Sequence, residues 1–312
     1  MNIIRYTKEY KIQWNDFIKN CKNTHFFFLR DYIEYHSDRF DDYSLLVFDD
    51  NNKLITVLPA NIKNNILYSH QGLTFGGFLV DDKMKTETML EIFENMKIFL
   101  ANNSILKLVY KCIPYIYHIK PSEEDRYALF RNDAKLIRRD VTTTITLDNK
   151  IKYQDQRKRA IKKAIKNEFI FEETKNLDEY WKLLNDVLAL QHNEKSVHSL
   201  GEIKKLITLF PNNIKVFVAK KENKILAGTL IFKNTNIVHT QYLANSHEGK
   251  IFGALDFVID KLITEVYKDK KYFDFGISNE EAGRYLNTGL IAQKEGFGAR
   301  AVVHDFYELE IK

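Results

Sequence analysis

The stretch Ser246-His247-Glu248-Gly249-Lys250-Ile251-Phe252-Gly253-Ala254 has an earlier counterpart in the chain, Ser69-His70-Gln71-Gly72-Leu73-Thr74-Phe75-Gly76-Gly77. Each stretch follows a strand-like run and precedes an amphipathic helix. So short a match has weight only if the flanking elements repeat as well. The apolar runs and helices around the two stretches do recur in the same order, at offsets of about 160 to 171 residues. The sequence therefore predicts a duplicated unit.

The second half shows the order of elements within one unit. Three antiparallel strands come first, followed by a helix, a strand, a helix and a final strand. We place the first two strands over 217–233, joined by the turn-like Glu222-Asn223, and the other elements over 237–244, 251–267, 272–276, 283–294 and 302–311. This order predicts an α+β fold with two domains in tandem, each a mixed, mostly antiparallel sheet flanked by helices. The predicted domains are 1–150 and 151–312, in agreement with a length of 312 residues.

Composition excludes several other classes of protein. Hydrophobic residues make up 45% of the chain, with 22 Phe and 17 Tyr, so the chain buries ordinary cores and is not disordered. No apolar run approaches the roughly 18 to 20 residues that cross a bilayer, and no signal peptide is recognisable, so we expect a cytoplasmic protein. Cys21 and Cys112 lack metal-ligand spacing, and we expect two reduced thiols and no metal site.

The net charge of +5 is modest, but it is unevenly distributed. A cluster of six cationic residues lies in a probable helix over 152–167, at the junction of the two halves. Ile161 and Ile165 are four residues apart and would form an apolar stripe under the cationic face. Two interpretations stay open: a solvated linker helix, or an electrostatic platform for a phosphate-bearing ligand. The cationic residues are Arg157, Lys158, Arg159, Lys162, Lys163 and Lys166.

The order of elements, the turn over 248–254 and the later Lys294-Glu295-Gly296-Phe297 resemble the GNAT acyltransferase superfamily. The resemblance implies that the turn binds the pyrophosphate of coenzyme A through backbone N–H groups at a helix start. An acetyl-CoA or other acyl-CoA co-substrate is then expected. The residues assigned to it are Tyr242, Leu243, Gly249, Lys250, Gly253 and Ala254.

Two positions depart from the GNAT pattern. Glu248 stands where the family has a cation or an amide, and Ala292 stands where it often has the tyrosine that protonates the leaving thiolate. Tyr285 is the candidate replacement for that tyrosine. These departures affect the assignment of coenzyme A as donor and leave acyl transfer as the expected class of reaction.

The duplication and three short motifs resemble the FemABX relatives. The motifs are the basic segment Arg157–Ala164, the strand end Phe273-Asp274-Phe275-Gly276, and Lys294 before Gly296-Phe297-Gly298. The resemblance implies a tandem GNAT fold that transfers an acyl or aminoacyl group to an amine of a cell-envelope precursor, with aminoacyl-tRNA as donor in the peptidoglycan branch. No coiled-coil arm interrupts the second half, so a tRNA partner is not favoured.

Direct attack of an amine on an acyl group requires a proton acceptor and donors for the developing oxyanion. His239 and Asp274 are candidates for the base, although a structural histidine and a turn-capping carboxylate are the alternatives. The FemABX resemblance assigns a functional role to Lys294, and an exposed lysine at a helix end is the alternative. With Tyr285 these residues form the predicted catalytic set.

Seven further side chains are predicted to bind the acceptor substrate. Those of the first half suit acceptor binding or plain structural support, and those of the second half lie near the predicted catalytic set. They are His70, Arg138, Arg139, Gln241, Ser278, Glu281 and Arg300.

The sequence thus predicts an acyltransferase, an N-acetyltransferase first of all, that acts on an amino-sugar or nucleotide-sugar precursor of a surface glycan. An aminoacyltransferase that uses charged tRNA, whose binding would depend steeply on salt, is the alternative enzyme. A non-catalytic tandem GNAT protein that binds an anionic ligand through 152–166 is the alternative outside the enzymes.

Overall fold

The structure is a computed structural model that describes residues 1–192 and 196–312. Its contacts divide the chain into two compact units. Unit 1 comprises Met1–Asp140, Glu281–Arg284 and Val303–Lys312, and unit 2 comprises Val141–Glu280 and Tyr285–Val302. Both units combine helices with a mixed sheet, which confirms the predicted α+β class.

Unit 1 contains two groups of strands. β1, β3, β4 and β7 form an antiparallel sheet, and β2, β5, β6 and β8 lie side by side in another, where β6 and β8 are parallel. The strands are β1 (Asn2–Arg5), β2 (Asp41–Asp42), β3 (Leu45–Phe48), β4 (Leu54–Leu58), β5 (Asn61–Lys63), β6 (Ile66–Tyr68), β7 (Leu79–Val80), β8 (Lys107–Lys111) and the start of β9 (Lys135–Thr146). The helices are α1 (Lys11–Lys19), α2 (Arg30–Ile33), α3 (Thr86–Asn102) and α4 (Glu124–Arg131), with 3-10 turns at Lys8–Tyr10, Phe26–Phe28, Glu34–His36 and Tyr115–Tyr117.

Unit 2 has one mixed sheet in the order β10-β11-β12-β13-β14-β9, to which β9 contributes its residues from Val141 onward. Only the β13–β14 pair is parallel among the pairings described for this sheet. The strands are β10 (Ile170–Glu173), β11 (Ile214–Lys221), β12 (Lys224–Lys233), β13 (Ile237–Asn245), β14 (Tyr272–Ile277), β15 (Asn279–Glu280), β16 (Tyr285–Leu286) and the start of β17 (Arg300–Glu310), whose residues from Val303 belong to unit 1. The helices are α5 (Asp155–Lys166), α6 (Leu177–His192), α7 (Leu200–Leu209), α8 (His247–Phe252), α9 (Ala254–Lys261) and α10 (Thr288–Glu295), with a π-helical turn at Leu262–Val266. The 3-10 turn at Glu281–Gly283 belongs to unit 1.

The final strand of the chain completes the sheet of unit 1. Residues Phe306–Glu310 of β17 pair antiparallel with Lys107–Lys111 of β8. In unit 2 the equivalent neighbour of β14 is the end of β9, which comes from the first half of the sequence. The contacts therefore assign Val303–Lys312 to unit 1, whereas the sequence had placed all of 151–312 in the second domain.

The helix predicted over 251–267 is interrupted. α8 begins at His247, where Ser246 caps it by accepting from the N–H of Gly249 at 2.9 Å. Gly253 then adopts a left-handed conformation (φ +76°) before α9 begins. A Cβ on Gly253 would lie 2.4 Å from the carbonyl oxygen of Ala160, so α5 approaches too closely for any side chain there. The break thus follows from helix packing.

Two further predictions about helices were wrong. The helix placed over 283–294 covers only Thr288–Glu295, because Glu281, Ala282 and Gly283 have positive φ and β15 and β16 form a short hairpin. On α5, Ile161 and Ala164 are buried, while Ile165, expected in the apolar stripe, is 57% exposed. The buried side of α5 passes instead through Arg157, whose ion pair with Asp256 of α9 has an N–O distance of 2.6 Å.

Candidate functional site

The parallel strands β13 and β14 pair over only three residues. Ile237, Val238 and His239 lie opposite Tyr272, Phe273 and Asp274. Beyond this point β13 continues its ladder with β12 to Asn245, and β14 rejoins β9 at Ile277. The two strands therefore separate after His239 and Asp274, and both side chains lie at the fork.

His239 and Asp274 form a dyad in unit 2. The Nδ1 atom of His239 lies 2.7 Å from Oδ2 of Asp274. Asp274 is fully buried and the imidazole is 12% exposed. When Asp274 is ionised its carboxylate only accepts hydrogen bonds, so Nδ1 is the donor of this pair and Nε2 of a neutral imidazole keeps its lone pair. In that state the dyad holds the tautomer in which Nε2 can accept a proton.

Three other donors hold the buried carboxylate in place. The hydroxyls of Thr142 and Thr144 on β9 donate to Oδ1 of Asp274 at 2.5 and 2.7 Å. The N–H of Gly276 donates to Oδ2 at 3.3 Å. Hydrogen bonds of this kind offset the loss of hydration of a buried charge, so Asp274 is set up as an anion beside the imidazole.

Gly276 provides the space for the imidazole ring. It has φ +77°, and a Cβ there would lie 3.1 Å from Cε1 of His239. Glycine adopts this conformation without the steric cost that other residues pay. The glycine therefore allows the backbone to turn beneath the ring and the ring to keep its position.

Lys294 is buried and lies close to the dyad. Its ammonium donates to the carbonyl oxygens of Gly276 and Ile277 at 2.8 and 2.9 Å and to the hydroxyl of Ser278 at 2.9 Å. Burial lowers the pKa of Lys294 to about 8, although the nearby Asp274 acts in the opposite direction. The three donors are directed at 276–278, so the geometry indicates that Lys294 positions the strand end. The alternative of an exposed lysine at a helix end was wrong.

A β-bulge disrupts β13 next to the dyad. Leu230 lies opposite Tyr242 and Ile231 opposite Thr240, which leaves Gln241 as the extra residue. Thr240 and Tyr242 therefore lie on opposite faces, and His239 shares a face with Tyr242. The expected alternation, in which Thr240 and Tyr242 share one face, was wrong because the bulge shifts the register.

The predicted phosphate turn is occupied by helix. Gly249 is buried inside α8, where a Cβ would lie 2.5 Å from the carbonyl oxygen of Leu226. The N–H of Gly253 donates to the carbonyl of Gly249, and Ala254 is buried at the start of α9. Close packing thus accounts for both glycines. Their role in binding phosphate stays a prediction, as does that of Lys250, which is exposed.

Tyr242 and Leu243 pack within unit 2. The hydroxyl of Tyr242 lies 2.7 Å from Nδ1 of His198 and accepts from the N–H of His198 at 3.3 Å. Its ring meets Trp181 of α6 edge to face, with centroids 5.6 Å apart. Leu243 packs against the core. These contacts tie β13 to the segment before α7.

Tyr285, the candidate acid, lies in β16 and not on a helix. It pairs with Glu280 of β15, and the residue is 51% exposed. Its backbone carbonyl lies 3.5 Å from Nδ2 of Asn279. The structure therefore gives no contact between the phenol and the dyad among the residues that it describes.

The predicted substrate residues of unit 1 are engaged in internal contacts. Arg138 binds Asp140 at 2.7 to 3.0 Å and Arg139 binds Asp305 at 2.6 and 3.0 Å. His70 is buried, has φ +65° and stacks on His36 with centroids 5.2 Å apart. Both guanidinium groups are thus paired with carboxylates.

The other predicted substrate residues are distributed widely. Ser278 is buried and accepts the bond from Lys294. Glu281 is exposed in the turn assigned to unit 1, and Arg300 is exposed, with a bond to the carbonyl of Ala299 at 2.7 Å. Of the predicted set, the structure brings together His239, Asp274, Ser278 and Lys294, with Gln241 next along β13.

Sequence reasoning missed Thr142, Thr144 and Gly276. The two threonines are spaced by two in a strand and therefore share one face, which is a weak signal for a polar cluster within an apolar sheet. Gly276 was noted only as a strand end. Its tight approach to His239 is a three-dimensional property that no spacing reveals.

Within 1–192 and 196–312, no group of three or more His, Cys, Asp or Glu side chains is arranged to hold a metal ion. None of the helices described is long and apolar enough to span a bilayer. Cys21 and Cys112 are both free and buried.

The chain resembles solved structures throughout its length. A structure of FemX has a TM-score of 0.69 at 11% identity, covering 98% of this chain and 97% of that chain. The C-terminal domain of a putative lysylphosphatidylglycerol synthetase from Agrobacterium fabrum has a TM-score of 0.61 at 11% identity, covering 97% and 92%. A tandem GNAT protein from the clavulanic acid biosynthesis pathway has a TM-score of 0.53 at 9% identity, covering 100% and 98%.

At such low identities the likeness shows the fold. The chain has the tandem GNAT fold, in the form that FemX also has, as the sequence predicted. No family model and no curated protein matches the sequence.

Proposed function

We propose that this protein is an acyltransferase that transfers an acyl group to an amine, with His239 as the general base. The observation that carries the proposal is the His239–Asp274 pair at the fork between β13 and β14. The tandem GNAT fold is consistent with this class of reaction.

The chemistry follows from the dyad. As the amine nitrogen attacks the acyl carbonyl, the new C–N bond forms and the amine becomes more acidic. Nε2 of His239 accepts the proton, and the buried Asp274 stabilises the imidazolium that results. Collapse of the tetrahedral intermediate breaks the bond to the donor, and the proton on His239 is passed to the leaving group or to water.

The fork suits an extended acyl donor. Beyond His239 the edge of β13 that faces β14 has left the parallel ladder, so its backbone groups are directed at the opening. Residues around the bulged Gln241 lie next to the base, where backbone N–H groups would meet a developing oxyanion. We propose acyl-coenzyme A, with acetyl-coenzyme A first, as the donor. We propose an amino sugar or a nucleotide sugar of a surface-glycan precursor as the acceptor.

The test measures release of free coenzyme A thiol from acetyl-coenzyme A with a panel of amino sugars and amino-sugar nucleotides. We expect the variants His239→Gln and Asp274→Asn to lower kcat by roughly 10²-fold or more, since general base catalysis contributes that much. Asp269→Asn, an exposed carboxylate in the same unit, is the matched control and should leave kcat unchanged.

A second set of assays replaces acetyl-coenzyme A with aminoacyl-tRNA. If transfer occurs only with aminoacyl-tRNA, then aminoacyl-tRNA is the donor and His239 remains the proposed base. Full activity of both dyad variants with any donor would show that His239 is not the base. Saturable ligand binding without turnover would favour a non-catalytic protein.

A further inference from the structure

We infer that the outward face of α5 binds the surface of a membrane that contains anionic phospholipids. This α5 face is defined by Arg159, Lys162, Ile165 and Lys166, with Lys158 on its flank. It is separate from the proposed acyl-transfer chemistry and involves none of the dyad residues.

The charge of this segment is one-sided. Residues 150–166 contain eight Lys and Arg side chains against one carboxylate, Asp155, although the whole chain has a net charge of only +5. Asp155 pairs with Lys158 at 3.0 Å, and Arg157 pairs with Asp256 at 2.6 Å. Arg159, Lys162 and Lys166 form no ion pair with any residue that the structure describes.

The α5 face is rigid. Ile161 and Ala164 are buried, and the carbonyl of Ala160 lies against Gly253. The inner side of the helix is therefore fixed on α8 and α9, and the exposed cations follow on the outer side at helical spacing. A preordered cationic surface loses little conformational freedom in the backbone when it binds.

An exposed aliphatic side chain on the α5 face favours a lipid surface over other anionic partners. Ile165 is 57% exposed and lies one turn from Lys162. Amphipathic helices that lie on membranes combine basic residues with apolar side chains that enter the boundary between headgroups and acyl chains. Surfaces that bind single-stranded nucleic acid use aromatic side chains for base stacking, and α5 contains none.

A recess lies at the start of residues 150–166. Lys150, Ile151, Lys152, Tyr153, Lys158 and Thr264 line a cavity of about 310 Å³. Lys158 is paired with Asp155, and Ile151 is another exposed aliphatic side chain of this lining. The cavity therefore continues the mixed cationic and aliphatic surface of the α5 face.

Sedimentation with vesicles tests the inference. The full chain is mixed with vesicles of phosphatidylcholine alone, of phosphatidylcholine with phosphatidylserine, and of phosphatidylcholine with phosphatidylglycerol. We expect binding to both anionic mixtures, weakening as salt rises, and none to phosphatidylcholine alone. Binding to only one anionic lipid would overturn the proposal of a general anionic surface.

Two variants distinguish the contribution of the basic side chains to vesicle affinity from that of the aliphatic side chain. The triple variant Arg159→Gln, Lys162→Gln, Lys166→Gln should lower vesicle affinity about a hundredfold, at the usual contribution per basic residue. Ile165→Ser should lower it without changing the salt dependence. The matched control is Lys8→Gln, Lys63→Gln, Lys205→Gln, which removes the same charge from exposed positions elsewhere.

Three further results would overturn the inference: no sedimentation at low salt, an equal loss in the control triple variant, or binding of tRNA in a mobility-shift assay without binding of vesicles. Circular dichroism of every variant excludes unfolding as the cause of a loss.

Discussion

At the scale of single residues, the position of His239 depends on Gly276. The ring lies where a Cβ of residue 276 would reach within 3.1 Å of Cε1. We predict that Gly276→Ala displaces the imidazole and lowers kcat by about tenfold to a hundredfold, with a smaller effect on KM. Steady-state kinetics with the donor that supports turnover in the assays above measures this.

Gly201→Ala is the control for Gly276→Ala, because a Cβ at residue 201 meets nothing closer than 3.9 Å. It should leave kcat unchanged. If Gly276→Ala also kept full activity, the position of the ring would not limit the reaction.

Lys294 stabilises the strand end beneath the dyad. Lys294→Met removes a buried ammonium that donates three hydrogen bonds and leaves two carbonyls and a hydroxyl to find other donors. We predict a decrease of about 3 kcal/mol in the free energy of unfolding, measured by urea denaturation. A normal free energy of unfolding with lost activity would instead indicate direct action of Lys294 on the substrate.

At the scale of secondary structure elements, the junction of α8 and α9 decides between two roles for Gly253. Its φ of +76° and the 2.4 Å separation of a Cβ from the carbonyl oxygen of Ala160 indicate a packing requirement. We predict that Gly253→Ala lowers the free energy of unfolding by about 1 to 3 kcal/mol.

The matched control for this position is Gly289→Ala, where the nearest atom to a Cβ is 3.8 Å away. Titration calorimetry with acetyl-coenzyme A accompanies the unfolding experiment. Unchanged stability together with lost coenzyme A binding would favour the phosphate-binding role for Gly253 over packing.

Elements with regular periodicity could be predicted from the sequence. The strands from Ile214 to Asn245 and the helix α5 lie where alternation and helical spacing placed them. The segment 279–287 could not be predicted, because the positive φ of Glu281 and Ala282 has no signature in those residue types. The break at Gly253 depends on the backbone of Ala160, which is distant in sequence.

The same limit applies to the candidate site. His239 and Asp274 were recognisable as polar residues in apolar strands, and the repeat placed both strands in one unit. The bulge at Gln241 and the donors Thr142 and Thr144 depend on strand register, which single residues do not specify.

At the scale of the whole molecule, buried histidines of unit 1 couple stability to pH. Burial lowers the pKa of His70 to about 3, with His36, Lys111 and Arg30 adding to the effect and Asp42 opposing it. Burial also lowers the pKa of His118 to about 4, aided by Arg126 and Lys22. Both side chains are neutral in the folded protein at pH 5, whereas they bind protons in the unfolded chain below about pH 6.5.

The pKa values of His70 and His118 are lower in the folded protein than in the unfolded chain. At a pH between the folded and the unfolded pKa, the unfolded chain therefore binds more protons. Stability is therefore complete above about pH 6.5 and falls as the pH decreases. Each histidine should lower the free energy of unfolding by about 2 kcal/mol at pH 5 relative to pH 7. Urea denaturation at the two pH values measures this.

The variant His70→Asn keeps a residue type that tolerates the positive φ of this position. Its loss of stability between pH 7 and pH 5 should be smaller than that of the unchanged protein by about 2 kcal/mol. An identical loss in both proteins would show that other groups control the acid response.

The pairing of β17 with β8 has a consequence for synthesis on the ribosome. Lys107 and its partner Glu308 are 201 residues apart in the chain. At about 5 to 20 residues per second, roughly 10 to 40 s pass between the emergence of β8 and the emergence of the strand that covers its edge. During that interval β8 pairs with β6 on one side only, and its other edge stays exposed, the kind of edge that recruits other chains. Chaperone occupancy on arrested nascent chains should therefore persist until residues 303–312 have left the ribosome.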